Sequence, residues 1–433
     1  MPIKMLRINE ARKLALKDRW PRKRRLDEKL LAYVREIVEK VKNGGDAALI
    51  NLTAKFDGVE LKAEQLKVSR EEIKDAYKRV SDKQLSALKL AKDRVERFER
   101  RILAQIGFEY EDELGVKIRW EHRPIRSVGC YIPGGEAAYP STVVMTVVPA
   151  KVAGVSRVVV CSPPKKNGEI NPLTLVAADL CGVDEFYRVG GAQAIAALAY
   201  GTETISPVDK IVGPGNKYVL AAKSIVSRDV PIDHPAGPSE IMILADDGAN
   251  PNYVAWDMIA QAEHSADSIA ILVTASIHVA RLVLEKIKQL LNTIPNGERV
   301  RVALEGRGAI LIAENMDEAI GFVNEFAPEH LEIIAKGAHE IAERINSAGM
   351  ILIGDYTPAS LSDYSLGTNH VLPTGGFGRV YSSLSVLSFI KHINVAEASK
   401  KALKELWDGI KVLAESEGLP NHALSIGERL KND

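Results

Sequence analysis

The sequence is poor in cysteine and has no excess charge of either sign. Cys130, Cys161 and Cys181 are the three cysteines among 433 residues, and none forms a CxxC pair. This sparse, odd set excludes a disulfide scaffold and predicts a protein of a reducing compartment, the cytoplasm. Lysine plus arginine number 57, as do aspartate plus glutamate, so the net charge is zero. Without a long-range field to attract nucleic acid or an anionic membrane, we expect a small-molecule partner.

Long hydrophobic runs are also missing. The opening MPIKMLRINEARK lacks the apolar core of a signal peptide, and later apolar stretches are too short and interrupted to span a bilayer. A basic run at 22–25, RKRR, is followed by acidic residues and is interpreted as a solvated helix start, not a phosphate site. The chain is 46% hydrophobic, and its length predicts two or three packed cores.

The hydrophobic pattern changes near residue 126. Before it, apolar residues recur at helical spacing over 30–41 and again over about 70–103. After it, short β-rich runs alternate with alanine-rich helical segments, which is typical of parallel βαβ units. One series of predicted strands covers 127–132, 157–161, 185–189 and 210–212, and a second covers 240–244, 269–273, 309–312, 331–334 and 350–353. We therefore predict an α/β fold with two doubly wound, Rossmann-like parallel-sheet domains, a helical N-terminal region and a C-terminal arm.

A glutamine and a histidine share one face of a predicted helix. Asn250 and Pro251 have the pattern of an N-cap and first helical residue, which predicts a helix over 253–264. Gln261 and His264, three apart, then point the same way and can bind a metal together. Spacing alone favours a hydrogen-bonded helix surface, because an amide oxygen is an uncommon zinc ligand.

The segment FAPEHLEI places Glu329 and His330 between a helix and a buried strand. A carboxylate and an imidazole held at a strand edge supply two bases, suited to activating water and to taking a proton from an alcohol. The plainer alternative is a helix-terminating loop with two exposed polar residues. Spacing alone favours that alternative.

Two later segments combine acidic residues with histidine. SDYSLGTNHVLPTGG offers Asp363 and His370 in what we expect to be a functional loop. EGLPNHALS offers Glu417 and His422 where a glycine and a proline break the helix. A frayed terminus explains the second pair equally well.

Glycine-rich turns follow two strands of the first series. GCYIPGG contains Tyr131, and GPGN contains Asn216. Nucleotides bind at the carboxyl ends of such strands. The chain has no GxGxxG fingerprint, so tight turns explain both stretches as well as a dinucleotide site does.

A resemblance to a known family rests on long strings of sequence. In chain order these are GCYIPGGEAAYPSTVVMTVVPAKVAGV, VGGAQAIAALAYGTE, VDKIVGPGNKYV, IDHPAGPSEIMILAD, QAEHSADS, FAPEHLEI and DYSLGTNHVLPTGG. Together they resemble the histidinol dehydrogenase family, from about residue 120 to the C-terminus. The helical N-terminal third has a compatible length.

The resemblance implies an enzyme with one zinc ion per subunit, NAD, and active sites shared across a homodimer. The implied zinc ligands are Gln261, His264, Asp363 and His422. The implied substrate contacts are these four with Ser239, His330, His370 and Glu417, and the implied NAD contacts are Tyr131, Gln193 and Asn216. In the family, the residues matching Glu417 and His422 come from the partner subunit.

The implied reaction is the last step of histidine biosynthesis, in which two NAD oxidise L-histidinol through a bound aldehyde to L-histidine. The resemblance implies that His330 accepts the alcohol proton and that Glu329 activates the water that hydrates the aldehyde. One alternative is a relative that oxidises another polyol or a sulfonated diol with the same apparatus. A second is a non-catalytic NAD-binding relative, which the retention of both bases and all four ligands disfavours.

We expect the domains to divide as follows. Residues 25–128 and 237–377 form the zinc and substrate domain, and 129–236 form an inserted NAD-side domain. Residues 1–24 are an N-terminal arm, and 378–433 are a helical C-terminal arm that reaches the partner subunit.

Overall fold

The structure is a computed structural model that describes residues 3–15, 20, 27–134, 138–235 and 237–431. The basic run at 22–25 lies outside these residues. The strands are β1 Lys4–Arg7, β2 Phe108–Glu111, β3 Lys117–Pro124, β4 Ser127–Tyr131, β5 Arg157–Cys161, β6 Glu185–Tyr187, β7 Ile211–Val212, β8 Glu240–Ala245, β9 Ile269–Thr274, β10 Ala309–Ile312, β11 His330–Ile334, β12 Met350–Ile353 and β13 Ile390–Glu397.

Helices surround these strands. They are α1 Ile8–Ala15, α2 Glu28–Asp57, α3 Arg70–Tyr77, α4 Asp82–Leu103, α5 Pro140–Ala153, α6 Pro172–Cys181, α7 Gly191–Tyr200, α8 Lys217–Val226, α9 Pro251–Ala262, α10 Ile277–Leu290, α11 Gly297–Arg307, α12 Met316–Phe326, α13 Ala338–Glu343, α14 Ala359–Tyr364, α15 Lys400–Ser416 and α16 Pro420–Leu430. Short 3₁₀ turns cover Ala63–Gln65, Phe377–Arg379 and Val386–Phe389.

Two parallel sheets form the body, which confirms the predicted α/β class. One has four strands in the order β6-β5-β4-β7, and the other has six in the order β1-β10-β9-β8-β11-β12. Hydrophobic cores lie on both faces of each sheet. The central strands β8 and β9 are buried along their whole length, and β5 is buried in all but its first residue, as expected of parallel strands covered on both faces.

Helix caps explain why the amphipathic stretch over 70–103 forms two helices. The hydroxyl of Ser81 accepts a hydrogen bond from the Gln84 N–H, and the Gln84 side chain accepts one from the Ser81 N–H. This capping box begins α4, and Ser69 with Glu72 begins α3 in the same way. Asn250 caps α9 as the sequence predicts, since its side chain accepts from the Asn252 N–H.

The helices of 28–103 pack differently from the division drawn from the sequence. That division grouped 25–128 with 237–377, but α2 packs on α7 and α8, and α4 packs on α5, all at the four-stranded sheet. The apolar stripe of α2, with Val34, Ile37 and Val41, is buried there. A helix's own sequence shows that it has an apolar face, but not which sheet covers that face.

Both predicted arms also contribute strands. In the N-terminal arm, β1 extends the edge of the six-stranded sheet by pairing with β10. In the C-terminal arm, expected to be helical, β13 pairs antiparallel with β3 in a third sheet of order β13-β3-β2. The arm is thus tied to residues 108–124 before α15 and α16 begin.

Candidate active site

The two candidate bases lie side by side at the amino end of β11. Glu329 and His330 are only 6% and 4% exposed. The Glu240 N–H donates to Oε2 of Glu329 over 2.7 Å, and Nδ1 of His330 lies 3.2 Å from the Glu240 carbonyl oxygen. Their burial rules out the alternative of an exposed, helix-terminating loop.

The Glu240 carbonyl determines which nitrogen of the His330 ring carries the proton. Because a carbonyl only accepts, Nδ1 is the donor, and Nε2 of the neutral ring keeps its lone pair. Nε2 is buried without a hydrogen-bond partner within the part of the chain that the structure describes. Burial by itself lowers the pKa of His330, but Glu329, Asp363 and the Glu240 carbonyl raise it to about 9.

These bases lie at the opposite end of the sheet from where an open α/β fold usually binds ligands. His330 pairs with Ile241 in the parallel register of β11 and β8, so both strands begin beside it. The half-buried Ser239 directly precedes β8. Ligands usually bind outside the carboxyl ends of such strands, whereas this polar group is at the amino ends of β8 and β11.

His264, just beyond the C-terminal end of α9, lies close to Asp363 of α14. Nε2 of His264 is 4.0 Å from Oδ2 of Asp363, and Nδ1 of His370 donates to the Asp363 backbone carbonyl over 2.9 Å. Asp363 belongs to α14, not to the loop expected from the sequence. Burial lowers the pKa of His370 against the influence of Asp363, and the charge of His330 lowers it further. His330, Asp363 and His370 are therefore close enough to interact electrostatically.

The donor set around His264 and Asp363 suits a zinc ion. Gln261, one turn earlier on α9, is 4% exposed, and among the described residues its buried Nε2 has no hydrogen-bond partner. Two ligand atoms of a tetrahedral zinc lie about 3.3 Å apart for bonds of about 2.0 Å, so the His264–Asp363 pair requires only a small adjustment. Among the residues described, no three His, Cys, Asp or Glu side chains gather to hold a metal.

Glu417 and His422 do not join this group within one chain. Glu417 ends α15 and His422 lies in the first turn of α16, and both are exposed. The two helices pack chiefly on each other. Large apolar side chains of this hairpin, including Val412, Leu413 and Leu424, are more than 60% exposed. An arm that leaves such side chains in water has a surface suited to a protein partner.

Two carboxyl groups that were missed in the sequence, the buried Glu332 and the half-buried Asp257, connect β11 with α9 and α14. Glu332 of β11 accepts a hydrogen bond from the Ala359 N–H at the start of α14 over 2.6 Å, and its carboxyl group is close enough to Asp257 of α9 to interact electrostatically. Burial raises the pKa of Asp257 to about 6 and that of Glu332 well above its usual range. Two signals point to them: a charge in the apolar strand HLEII, and the shared helix face of Asp257, Gln261 and His264.

The residues expected at the NAD side lie at the carboxyl edge of the four-stranded sheet. The Tyr131 hydroxyl accepts from the Gly191 N–H over 3.1 Å, and Gln193 is buried on the same helix, α7. Asn216 caps α8 by accepting from two N–H groups of its first turn. From β4, the chain adds β5 and β6 on one side and β7 on the other. The crevice between β4 and β7 is thus the switch point where nucleotides bind.

The two sheets meet through α5, which follows β4. Thr142, in the first turn of α5, has its hydroxyl 3.5 Å from Nε2 of His370. The Asn369 side chain donates to the Met145 carbonyl over 2.7 Å. These contacts, which sequence patterns do not reveal, place the carboxyl edge of one sheet beside the polar group of the other.

The cysteines take no part in this arrangement. All three are buried, and burial raises the pKa of Cys130 and of Cys181 to about 12 and that of Cys161 still further. A thiol held so far from ionisation is a poor nucleophile.

No helix among the described residues has the length and apolar content to cross a membrane.

Comparisons with known proteins give consistent matches. A family model described as histidinol dehydrogenase matches residues 21–430. The histidinol dehydrogenase of Methanothermobacter thermautotrophicus is 47% identical over 409 residues, 94% of this chain and 95% of that protein. That of Clostridium acetobutylicum is 46% identical over 402 residues, 93% of each. The crystal structure of histidinol dehydrogenase from Elizabethkingia anophelis matches with a TM-score of 0.91 at 40% identity, covering 96% of both chains.

Proposed function

The chain belongs to the histidinol dehydrogenase family, and from that premise we propose that it oxidises L-histidinol to L-histidine with two NAD. The observation that carries this proposal is the buried pair Glu329 and His330, set within electrostatic reach of Asp363 and His370. The reaction consumes one water and releases two NADH and three protons. It is the last oxidation in histidine biosynthesis.

In the first half-reaction, His330 removes the alcohol proton. In the neutral ring, Nε2 is the nitrogen that can accept this proton, because Nδ1 donates to the Glu240 carbonyl. NAD, when bound beside Tyr131, Gln193 and Asn216, would accept the hydride that the carbinol carbon loses with that proton. The product is an aldehyde that the site retains.

In the second half-reaction, Glu329 activates water. A carboxylate oriented by the Glu240 N–H accepts a proton from a water that adds to the aldehyde carbon. The resulting hydrate bears a hydrogen on a tetrahedral carbon, from which the second hydride can leave. This route avoids a thioester, which agrees with the three buried, protonated thiols.

Gln261, His264 and Asp363, together with His422 of the partner subunit, would hold the zinc. When bound, zinc supplies a Lewis acid that orients the substrate's amine and imidazole and offsets the charge of Asp363, which favours a neutral His330. His370 and Glu417 would contact the substrate's polar ends, and Ser239 lies beside the bases. Tyr131, Gln193 and Asn216 would contact NAD.

We expect the purified protein to form two NADH for each L-histidinol consumed. NADH absorbance and the histidine formed are measured on limiting substrate, then after chelation, and again after zinc is added back. Activity should disappear with the metal and return with it. A stoichiometry of one, or turnover only on another polyol or a sulfonated diol, would contradict the assignment.

A mixing experiment tests whether two subunits build each site. Coexpressed His264→Ala and His422→Ala chains should recover roughly a quarter of wild-type activity, because half of randomly formed dimers are mixed and each has one intact site. Each variant alone should be inactive. Coexpressed His264→Ala and Asp363→Asn chains serve as the matched control and should recover nothing, since both lesions lie in the body of the chain. No recovery in the first mixture would mean that His422 acts within its own subunit.

A further inference from the structure

The turn that follows β7 touches the end of β4 at the level of the backbone. Gly213 has a φ of 116°, and a Cβ built on it would lie 2.2 Å from the Tyr131 carbonyl oxygen. No other residue fits this contact without moving one of the two strands. Three residues later the turn ends at Asn216, the cap of α8. The conformation of Gly213 therefore fixes where Tyr131 and Asn216 stand relative to each other.

A buried ion pair holds both polar groups of the Gly213 residue. Lys223 and Asp233 each have side chains 2% exposed. The Gly213 N–H donates to Oδ2 of Asp233 over 2.8 Å, and Nζ of Lys223 donates to the Gly213 carbonyl over 2.9 Å. Lys223 also donates to the other carboxylate oxygen of Asp233. The two side chains and the turn thus form one closed set of hydrogen bonds.

The carboxyl group of Asp233 is held in its charged form. Burial alone would raise the pKa of Asp233, but the Lys223 ammonium, together with His234 and the Gly213 N–H, holds it below its usual range. A buried ion pair adds little net stability, because the cost of removing two charges from water offsets their attraction. Such a pair instead fixes the orientation of the groups it binds, since its hydrogen bonds tolerate little change in geometry.

We propose that Lys223 and Asp233 are positioning residues for NAD, which hold the 213–216 turn in the conformation that accepts the dinucleotide between β4 and β7. The inference rests on the proposed NAD-dependent function. Neither side chain has to touch NAD, because both act through Gly213 on Tyr131 and Asn216. Misplacement of such a turn by about 1 Å is enough to weaken a bound geometry strongly.

The test uses the full-length enzyme and direct titration with NAD. The double variant Lys223→Met/Asp233→Asn removes both charges together, so no lone charge is left buried, and the Met side chain cannot donate to the Gly213 carbonyl. Its Kd for NAD should rise about tenfold or more, while kcat at saturating NAD stays within about threefold. Zinc content and the KM for L-histidinol should not change.

A matched control lies at the opposite edge of the same sheet. Arg157 and Glu185 form an ion pair of 2.6 Å at the amino ends of β5 and β6. The variant Arg157→Met/Glu185→Gln loses a partly exposed pair, with side chains 23% and 20% exposed, at the other end of the strands from the turn, and its Kd for NAD should match the wild type. An equal rise in both double variants would overturn the proposal.

A double-mutant cycle separates positioning from general loosening. If Lys223 and Asp233 act through the turn, adding Asn216→Ala to the double variant should raise the Kd for NAD by less than the product of the factors measured for the double variant and for Asn216→Ala alone. Independent, multiplicative effects would contradict the proposal. If the double variant does not fold, Lys223→Met alone enters the same titration and cycle, and an unchanged Kd then overturns it.

Failure of this inference is distinguishable from failure of the proposed function. If the wild-type enzyme binds no NAD in the titration, both the proposed function and the positioning role are ruled out. If the wild-type enzyme binds NAD and the folded double variant binds it with a Kd within about twofold of the wild-type value, only the positioning role is ruled out.

Discussion

Replacement of His330 by asparagine is expected to lower the oxidation of L-histidinol by about 10²- to 10⁴-fold, the usual contribution of a positioned general base, and to lower the oxidation of L-histidinal less. The asparagine amide can still donate to the Glu240 carbonyl, which Nδ1 of His330 now contacts over 3.2 Å. What the variant loses is Nε2, the buried nitrogen without a partner among the described residues. Single-turnover NADH formation from L-histidinol and from L-histidinal measures each step separately.

The exposed His339 of α13 provides the matched control, since His339→Asn makes the same exchange away from the site. Zinc content and the NAD affinity of His330→Asn should equal those of the wild type. If the variant retains more than about a tenth of wild-type activity on L-histidinol, His330 is not the base that accepts the alcohol proton.

Replacement of Glu329 by glutamine is expected to affect the two steps unequally. The glutamine oxygen can still accept from the Glu240 N–H, so the local structure should be kept. It cannot take a proton from water, and oxidation of L-histidinal should fall by about 10²-fold or more, while oxidation of L-histidinol falls much less. NADH formed per L-histidinol should then approach one instead of two, and the aldehyde should be trapped with a carbonyl reagent.

Glu325→Gln is the matched control, because Glu325 is an exposed carboxylate of the preceding helix whose ion pair is with Arg12. This variant should retain both steps. An equal loss of both half-reactions in Glu329→Gln would show that Glu329 and His330 do not divide the work as proposed.

Predicted and observed strands agree closely because burial on two faces leaves a strong local signal. The strands Arg157–Cys161 and Ala309–Ile312 have the predicted bounds, and Ile269–Thr274 extends one residue further. A parallel strand covered on both faces is a short apolar run bounded by turn residues, and it needs no distant partner to be seen. The cap of α9 at Asn250 is equally local.

The candidate site was only partly visible in the sequence. Gln261 and His264 are one turn apart and Glu329 and His330 are adjacent, so each pair could be noticed, but spacing alone favoured the plainer interpretation of both. The structure adds the burial of Glu329 and His330 and the 4.0 Å approach of His264 to Asp363. The supporting pair Asp257 and Glu332 was not singled out, because its members lie on different elements.

By itself, the sequence determined the α/β class, the strands of both parallel sheets other than β1, and the resemblance that names the family, because these follow from local burial patterns and from long strings of residues. Only the tertiary structure decided which sheet covers α2 and α4, and that the bases lie at the amino ends of β8 and β11. It also showed that each arm contributes a strand to a sheet, β1 from the N-terminal arm and β13 from the C-terminal arm. Such pairings join residues from tens to hundreds of positions apart, and their energy depends on fit between surfaces that no single segment encodes.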